Sequence, residues 1–273
     1  MSDRGLTSWI SPHPVDGQAW ELFHENSKVG VYDAMPSDRA VAHRMAELIE
    51  SFEFERCPAV ELPPPAKLDA PLAEITSRRV SSRVLEPIEL SLPALTATLE
   101  AAYGVTRDND DGNYARPFRA VPSAGALYPL ELFFSTCAVP GLPGGIYHYN
   151  PLRREIRRVR DADAIPALEA AFIQPELIRN ASAVFYLTAV FERVVFKYGD
   201  RGYRFALLEA GHVGQALALA AGALGLGCTN LGGFFDRDLD AALGVDGLAW
   251  SSLYAAAIGG VARSEAHANN RAE

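Results

Sequence analysis

FKYGDRGYRFALLEAGHVGQ, residues 196–215, runs without interruption into ALALAAGALGLG, residues 216–227. From Tyr203 to Leu224 this stretch has no proline and is crowded with alanine and glycine, so it predicts one long helix. Side chains this small let other backbones approach closely, and the expectation is a central helix packed on all sides. On either side of it lie two apolar runs, AVFYLTAVF at 183–191 and SSLYAAAIG from Ser251 to Gly259, both read as buried strands. Further out, LELFFSTC at 130–137 is a third buried strand, and GIYHYN with REIRRV forms a hairpin-like pair. Leu92–Tyr103 reads as a helix closed by Gly104, and Asp161–Phe172 as another helical segment. Helices alternating with separated strands imply an α+β layered fold.

The first 70 residues differ. A short mixed segment carries His13, Trp20, Phe23, His24 and Lys28, and a helix is expected from Ser37, its N-cap, to about Glu50. ELPPPAKLDAP then reads as an extended, polyproline-type spacer. Residues 1–70 are therefore expected to form a helical extension and linker, and residues 71–273 the main domain.

Composition narrows the functional classes. The chain has 273 residues, 49% of them hydrophobic and 22% charged, an ordinary globular balance. A net charge of −9 argues against a protein that coats nucleic acid, which needs clustered cations. Cys57, Cys137 and Cys228 are far apart with no CxxC, which sets aside a disulfide scaffold or zinc ribbon and fits a reducing cytoplasm. MSDRGLTSWISPHP has no apolar core of a signal peptide, and the longest apolar run, Ala216–Cys228, is too short to span a bilayer. A cytoplasmic protein without a membrane partner is expected.

Common catalytic motifs fail. There is no GxGxxG after a strand, no GxxxxGK[ST], no GxSxG and no HExxH, and the six histidines are scattered, so no metal site is expected. His43 and His148 read as surface or packing residues. Three polar clusters remain. In SRRVSSR, residues 77–83, Arg79, Ser81 and Arg83 alternate, so an extended loop aims them to one side. Two guanidiniums and a hydroxyl suit a phosphate dianion, although the string alone reads equally as a solvated helix start. RAVPSAGALYP, residues 119–129, puts Ser123, Ala124 and Gly125 in a turn whose backbone groups can read the edge of a flat heterocycle, or simply make a turn. In the third cluster Lys197 and Tyr198 precede a Gly–Asp turn. An ammonium beside a phenol favours the phenolate, so such a pair suits proton transfer, but adjacent residues need not point the same way.

Taken together and in this order, the clusters resemble the nitroreductase-like FMN enzymes, and among them the SagB-type azoline dehydrogenase branch. That branch includes the oxidases of thiazole- and oxazole-modified peptide biosynthesis. The resemblance is carried by FHENSK (23–28), RRVSSR (78–83), PSAGALYPLELF (122–133), FKYGDRGYRFALLEAGHVGQ (196–215), ALGLG (223–227) and LGGFFD (231–236), and spans residues 20–260. PSAGAxYP followed by KYxxRGYR is specific to the branch, whereas RxSxR is generic to the superfamily.

The resemblance implies an FMN-binding fold with a central antiparallel-type sheet flanked by helices, forming an intertwined homodimer with flavin sites between subunits. By the same resemblance Arg79, Ser81 and Arg83 hold the phosphate and ribityl chain. Ser123, Ala124 and Gly125 of the partner line the ring, Gln215 belongs to the binding set, and the Leu231–Gly232–Gly233 loop approaches flavin N5. Lys197 and Tyr198 match the branch's catalytic pair. A basic residue near the C-terminus often contacts the phosphate in the superfamily; here Arg263 and Arg271 are available without a clear motif. With no added peptide-recognition domain in the first 70 residues, a partner such as a cyclodehydratase or synthetase complex would bring the substrate.

The implied reaction is oxidation of a thiazoline or oxazoline, in a peptide or carrier-bound precursor, to the aromatic azole. Lys197 or Tyr198 removes a proton, and hydride passes to the flavin. Two other readings stand beside it: an NAD(P)H-dependent nitro or quinone reductase, and a flavin-binding subunit without catalysis of its own.

Overall fold

The computed structural model describes residues 18–109 and 116–261. His13, Arg263 and Arg271 lie outside these residues. In chain order the elements begin with α1 (Ala19–Asn26), α2 (Asp38–Glu47), β1 (Ala59–Glu61), α3 (Leu72–Arg78), β2 (Leu85–Glu86) and α4 (Leu92–Tyr103). Next come β3 (Val105–Arg107), β4 (Phe118–Arg119), β5 (Leu130–Thr136), β6 (Gly145–Asn150) and β7 (Glu155–Asp161). The chain continues through α5 (Ile165–Ala170), α6 (Pro175–Arg179), β8 (Ala183–Val190) and α7 (Glu192–Tyr198). It ends with α8 (Arg201–Ala223), β9 (Gly227–Leu231), α9 (Asp236–Leu243) and β10 (Trp250–Val261).

The strands build a sheet in the order β1-β7-β6-β5-β8-β10-β2, with β9 also on β10 and every pairing antiparallel. This α+β arrangement, an antiparallel sheet flanked by helices, is the fold expected. The period-2 alternation of strand side chains explains why the central strands read as unbroken apolar runs. Phe134, Phe185, Leu187, Ala256 and Ile258 join one core with Leu95 and Leu99 of α4 and Val213 and Leu217 of α8. Their neighbours Phe133, Val184, Tyr186, Ala255 and Ala257 join a second core with Leu168 of α5 and Leu239 of α9. Both faces of the sheet are covered.

Helix α8 forms where the alanine-rich run predicts it. One part of that expectation is corrected: it is not packed on all sides within the chain. Ala206, Ala210, Val213, Leu217 and Ala221 are buried, but Tyr203, Leu207 and Leu208 leave an exposed apolar stripe on another face. Among the described residues α8 is also the helix long and apolar enough to cross a membrane. Its packing against the sheet and α4 accounts for that composition. Asp161–Phe172, expected to be a single helix, is a 3-10 turn at Ala162–Ala164 followed by α5, because Pro166 falls at the start of the α-helical part.

The N-terminal part lies against this body. Ser37 caps α2, its hydroxyl accepting from Ala40 N–H. Residues just before the proline run form β1, which adds to the edge of β7 through the pairing of Val60 with Ile156. At the end of α1, Arg201 donates to Ser27 O at 2.8 Å and Arg204 to Ser27 Oγ at 2.8 Å, tying that turn to the start of α8.

Candidate functional site

The RxSxR strip leaves α3 at Arg79 and runs extended beside β9. Ser82 is the buried residue of the strip: its N–H donates to Cys228 O at 3.1 Å and its carbonyl accepts from the Thr229 hydroxyl. Arg79, Ser81 and Arg83 on either side of it are exposed, as strand-like alternation requires. Gly227 makes this approach feasible, since a Cβ there would lie 2.6 Å from Ser82 Oγ. A pocket of about 270 Å³ opens here, lined by Arg78, Arg79, Ser82, Gly222, Gly227 and Cys228 among others. Burial pushes the Cys228 thiol up to about 12, so it is a neutral wall and not a nucleophile.

Further along β9, Leu231 is buried and Gly232 and Gly233 are exposed. A Cβ on Gly233 would come within 3.3 Å of Ile173 Cδ1. Asn230, which sequence reasoning did not single out, sits opposite Gly214 of α8, and its side-chain oxygen is buried without a protein hydrogen bond. Gln215, the next residue on α8, is exposed.

Lys197 and Tyr198 end α7, where Gly199 at φ 54° turns the chain into α8. The Tyr198 ring meets Phe205 of α8 edge-on, 4.9 Å between centroids. The loop with Ser123, Ala124 and Gly125 folds onto the pair. A Cβ on Gly125 would lie 2.7 Å from Tyr198 Oη and 3.0 Å from Lys197 Nζ, so both functional atoms converge on this glycine. Gly125, with φ at 63°, also needs the freedom of a residue without Cβ. The Ser123 hydroxyl is engaged within the chain, accepting from Tyr128 N–H at 2.9 Å. A second pocket, of about 320 Å³, opens beside the pair and is walled on its other side by Asn26–Pro36.

The Arg79–Arg83 strip and the Lys197–Tyr198 pair thus lie at opposite ends of α8, with Gln215 on the helix between them. Tyr198 packs at Phe205, whereas the Arg79 pocket reaches Gly222. At 1.5 Å per residue the two levels are roughly 25 Å apart along the helix.

Sequence reasoning also missed two buried carboxylates. Glu131 of β5, 2% exposed, bonds to Arg193 at 2.6 Å and to His148 at 2.5 Å. Burial raises this carboxyl, but the charges of Arg193 and His148 outweigh it and bring it to about 2. His148 is therefore a buried partner in an ionic network, consistent with a packing role. Glu209 of α8 accepts from the Tyr103 hydroxyl at 2.7 Å. Burial pushes its carboxyl up to about 7, against the lowering effects of Ser123, Tyr103 and Arg119.

A profile of the nitroreductase family matches residues 76–260, and the chain belongs to that family of oxidoreductases. MJ1384 of Methanocaldococcus jannaschii, named as a candidate nitroreductase, is 38% identical over 168 residues, spanning 62% of this chain and 81% of that protein. McbC of Escherichia coli, a microcin B17-processing protein, is 34% identical over 123 residues, spanning 43% of this chain and 44% of McbC. Among solved structures, the E. coli microcin synthetase McbBCD complex with truncated pro-MccB17 bound contains a chain of the same fold. It aligns with a TM-score of 0.57 at 23% identity, over 88% of this chain and 86% of that one.

Proposed function

We propose that this protein is an FMN-dependent dehydrogenase that oxidises thiazoline or oxazoline rings of a peptide or carrier-bound precursor to thiazole or oxazole. The observation that carries the reading is the convergence of Lys197 Nζ and Tyr198 Oη on Gly125. Two proton-handling groups meet at a loop whose backbone is open to a flat ring. The similarity to a microcin B17-processing protein supports a peptide substrate, and work alongside a cyclodehydratase or synthetase complex is part of the same proposal. The Arg79, Ser81 and Arg83 strip supports a phosphate-bearing cofactor, and the unpaired Asn230 oxygen beside Gly232 and Gly233 offers an acceptor to the N–H edge of a ring.

Bound FMN would accept a hydride at N5. The chain's own residues supply the rest. In an azoline the C–H between the ring C=N and the next carbonyl is acidic, and Lys197 or Tyr198 removes that proton. The neighbouring ring carbon gives up hydride, so the ring loses one proton and one hydride and becomes aromatic. The Ser123–Gly125 turn would line the flavin ring, and the missing side chain of Gly125 lets Lys197 Nζ and Tyr198 Oη come close, since a Cβ there would clash with both.

One flavin cannot reach both groups of site residues in a single chain, because they lie too far apart along α8. A homodimer resolves this: Arg79, Ser81, Arg83, Gln215 and the Leu231–Gly233 loop of one protomer face Ser123, Ala124, Gly125, Lys197 and Tyr198 of its partner. The exposed Tyr203, Leu207 and Leu208 stripe supports such an interface.

The similarity to MJ1384 favours a second reading, reduction of a nitro compound or quinone by NAD(P)H. Anaerobic flavin bleaching separates the two: a thiazoline peptide bleaches an azoline dehydrogenase, and NADPH a reductase. For the first reading, Tyr198→Phe and Lys197→Ala should retain FMN while losing about 10²–10⁴-fold in azoline oxidation. Parent rates in both variants would show that the pair is structural.

A further inference from the structure

Two stretches have no part in the chemistry above: FHENSK at 23–28 and RGYR at 201–204. The fold brings them together. The Phe23 ring meets Tyr203 edge-on, 5.4 Å between centroids, and the Arg204 guanidinium lies 5.6 Å from the same ring. Arg204 also donates to His24 O at 2.5 Å and to Ser27 Oγ at 2.8 Å, and Arg201 donates to Ser27 O at 2.8 Å. Ser27 is buried, whereas residues 28–36 after it are all exposed. The chain rejoins the body at α2, where Val41 and Met45 enter the core and Arg44 pairs with Glu192 at the start of α7. Residues 28–36 are thus an arm pinned at both ends. Its bend is set by the Asp33 carboxylate, which accepts from Gly30 N–H at 2.6 Å.

Val29, Met35 and Pro36 of the arm line the same pocket of about 320 Å³ as Lys197 and Tyr198. That volume lies at the lower end for ligand pockets, enough for an azoline ring and a neighbouring side chain but not for a folded peptide. Val29 and Met35 are half-exposed, and Val31 and Tyr32 further out on the arm are almost fully exposed, so apolar surface continues outward from the pocket. We propose that this arm is the specificity wall of the azoline site. Val29 and Met35 contact an apolar residue next to the ring, and Arg201 and Arg204 are the positioning residues that hold the arm in place. The inference rests on reading Lys197 and Tyr198 as the proton-transfer pair. That pair fixes where the ring must sit, so the peptide leaving it runs along the arm. The charges lining the pocket are of both signs, Lys28 and Arg201 against Asp33 and Asp200, and Lys28 is already paired with Glu25 at 2.5 Å. They select neither sign of neighbour, and the apolar wall decides: a carboxylate laid against Val29 and Met35 loses water without gaining a partner.

Steady-state oxidation of two synthetic peptides by the flavin-loaded protein tests this. Each carries a single thiazoline, flanked on both sides by Leu in one peptide and by Glu in the other. The parent should favour the Leu-flanked peptide by about tenfold in kcat/KM, chiefly through KM. Met35→Lys should bring the two peptides level or reverse their order, a gain on the Glu-flanked peptide that misfolding cannot produce. Arg201→Ala/Arg204→Ala should raise KM for the Leu-flanked peptide about tenfold while kcat changes much less. Hydrogen exchange across residues 27–36 should speed up in that variant with FMN still bound, and Arg201→Lys/Arg204→Lys should recover part of the loss. A parent indifferent to the flanking residue, or parental preference in Met35→Lys, overturns the proposal. So does faster exchange across the arm with parental KM. A Met35→Lys protein that runs as a monomer where the parent is a dimer shows that a second copy covers the arm, and overturns it as well. In each of these cases the parent still oxidises a thiazoline peptide, and the inference alone is lost. If the parent oxidises neither peptide while NADPH bleaches its flavin, the azoline reading has failed, and the substrate wall falls with it.

Discussion

The charged residues of this protein separate into those that the sequence makes legible and those that it hides. Arg79, Ser81 and Arg83 are legible because their spacing alone predicts alternation, and the chain leaves them exposed around a buried Ser82. Glu131 is hidden. It sits in an apolar strand as a single charge, and its partners His148 and Arg193 come from a different strand and from a helix. Nothing local announces them. The consequence for stability can be stated with its sign. The folded carboxyl of Glu131 lies at about 2 against an ordinary 4.5, so its contribution is fully present above pH 4.5 and lost as pH falls toward 2. Arg193→Ala leaves this buried carboxylate without its guanidinium, with only His148, Ser51 and the Phe52 amide beside it, and should cost about 3–5 kcal/mol. Thermal denaturation at pH 7 should show a large drop in Tm, and the variant should lose most of the parent's acid-limb dependence. A variant as stable as the parent would mean that His148, Ser51 and the Phe52 amide hold Glu131 without Arg193.

Among the elements, α8 is the clearest reading of pattern into structure, whereas α7 carries no helical signal of its own. VVF at 194–196 is made of β-branched and aromatic residues, which favour extended chain. Tertiary packing overrides this: β8 ends at Val190 and the chain turns into α7. β9 escaped because GCTNL is short and opens on glycine, so it reads as part of a glycine-rich motif. The junction between α7 and α8 depends on Gly202, where a Cβ would meet the Val194 carbonyl carbon and oxygen at 2.9 Å, both backbone atoms that cannot swing away. Gly202→Ala should therefore displace α7, and with it Lys197 and Tyr198, from Gly125. A cost of about 1–3 kcal/mol is expected from overpacking, accompanied by a loss of azoline oxidation larger than the loss of bound FMN. Urea unfolding and flavin content measured on the same preparation would check both. Parental stability and activity would mean that α7 can yield without moving the pair.

At the scale of the molecule, the fold was legible because both faces of the sheet are covered, which makes the central strands conspicuous as apolar runs. The completeness of the site was not legible in the order of motifs along one chain. The phosphate-side strip and the Lys–Tyr pair share helix α8, yet they stand at its opposite ends. On the proposed reading two chains bring them to one flavin, meeting at the exposed Tyr203, Leu207 and Leu208 face. The most direct measurement is complementation between two inactive variants. Arg79→Ala/Arg83→Ala and Tyr198→Phe, co-expressed with different affinity tags and purified through both, yield a heterodimer carrying one defect on each protomer. If each flavin takes its phosphate side from one chain and its Lys–Tyr pair from the other, one site is intact and its neighbour carries both defects. The heterodimer should then bind FMN at one site and regain about half of the parent's azoline oxidation. A heterodimer with no more activity than either inactive parent would contradict the shared site, and with it the mechanism built on it.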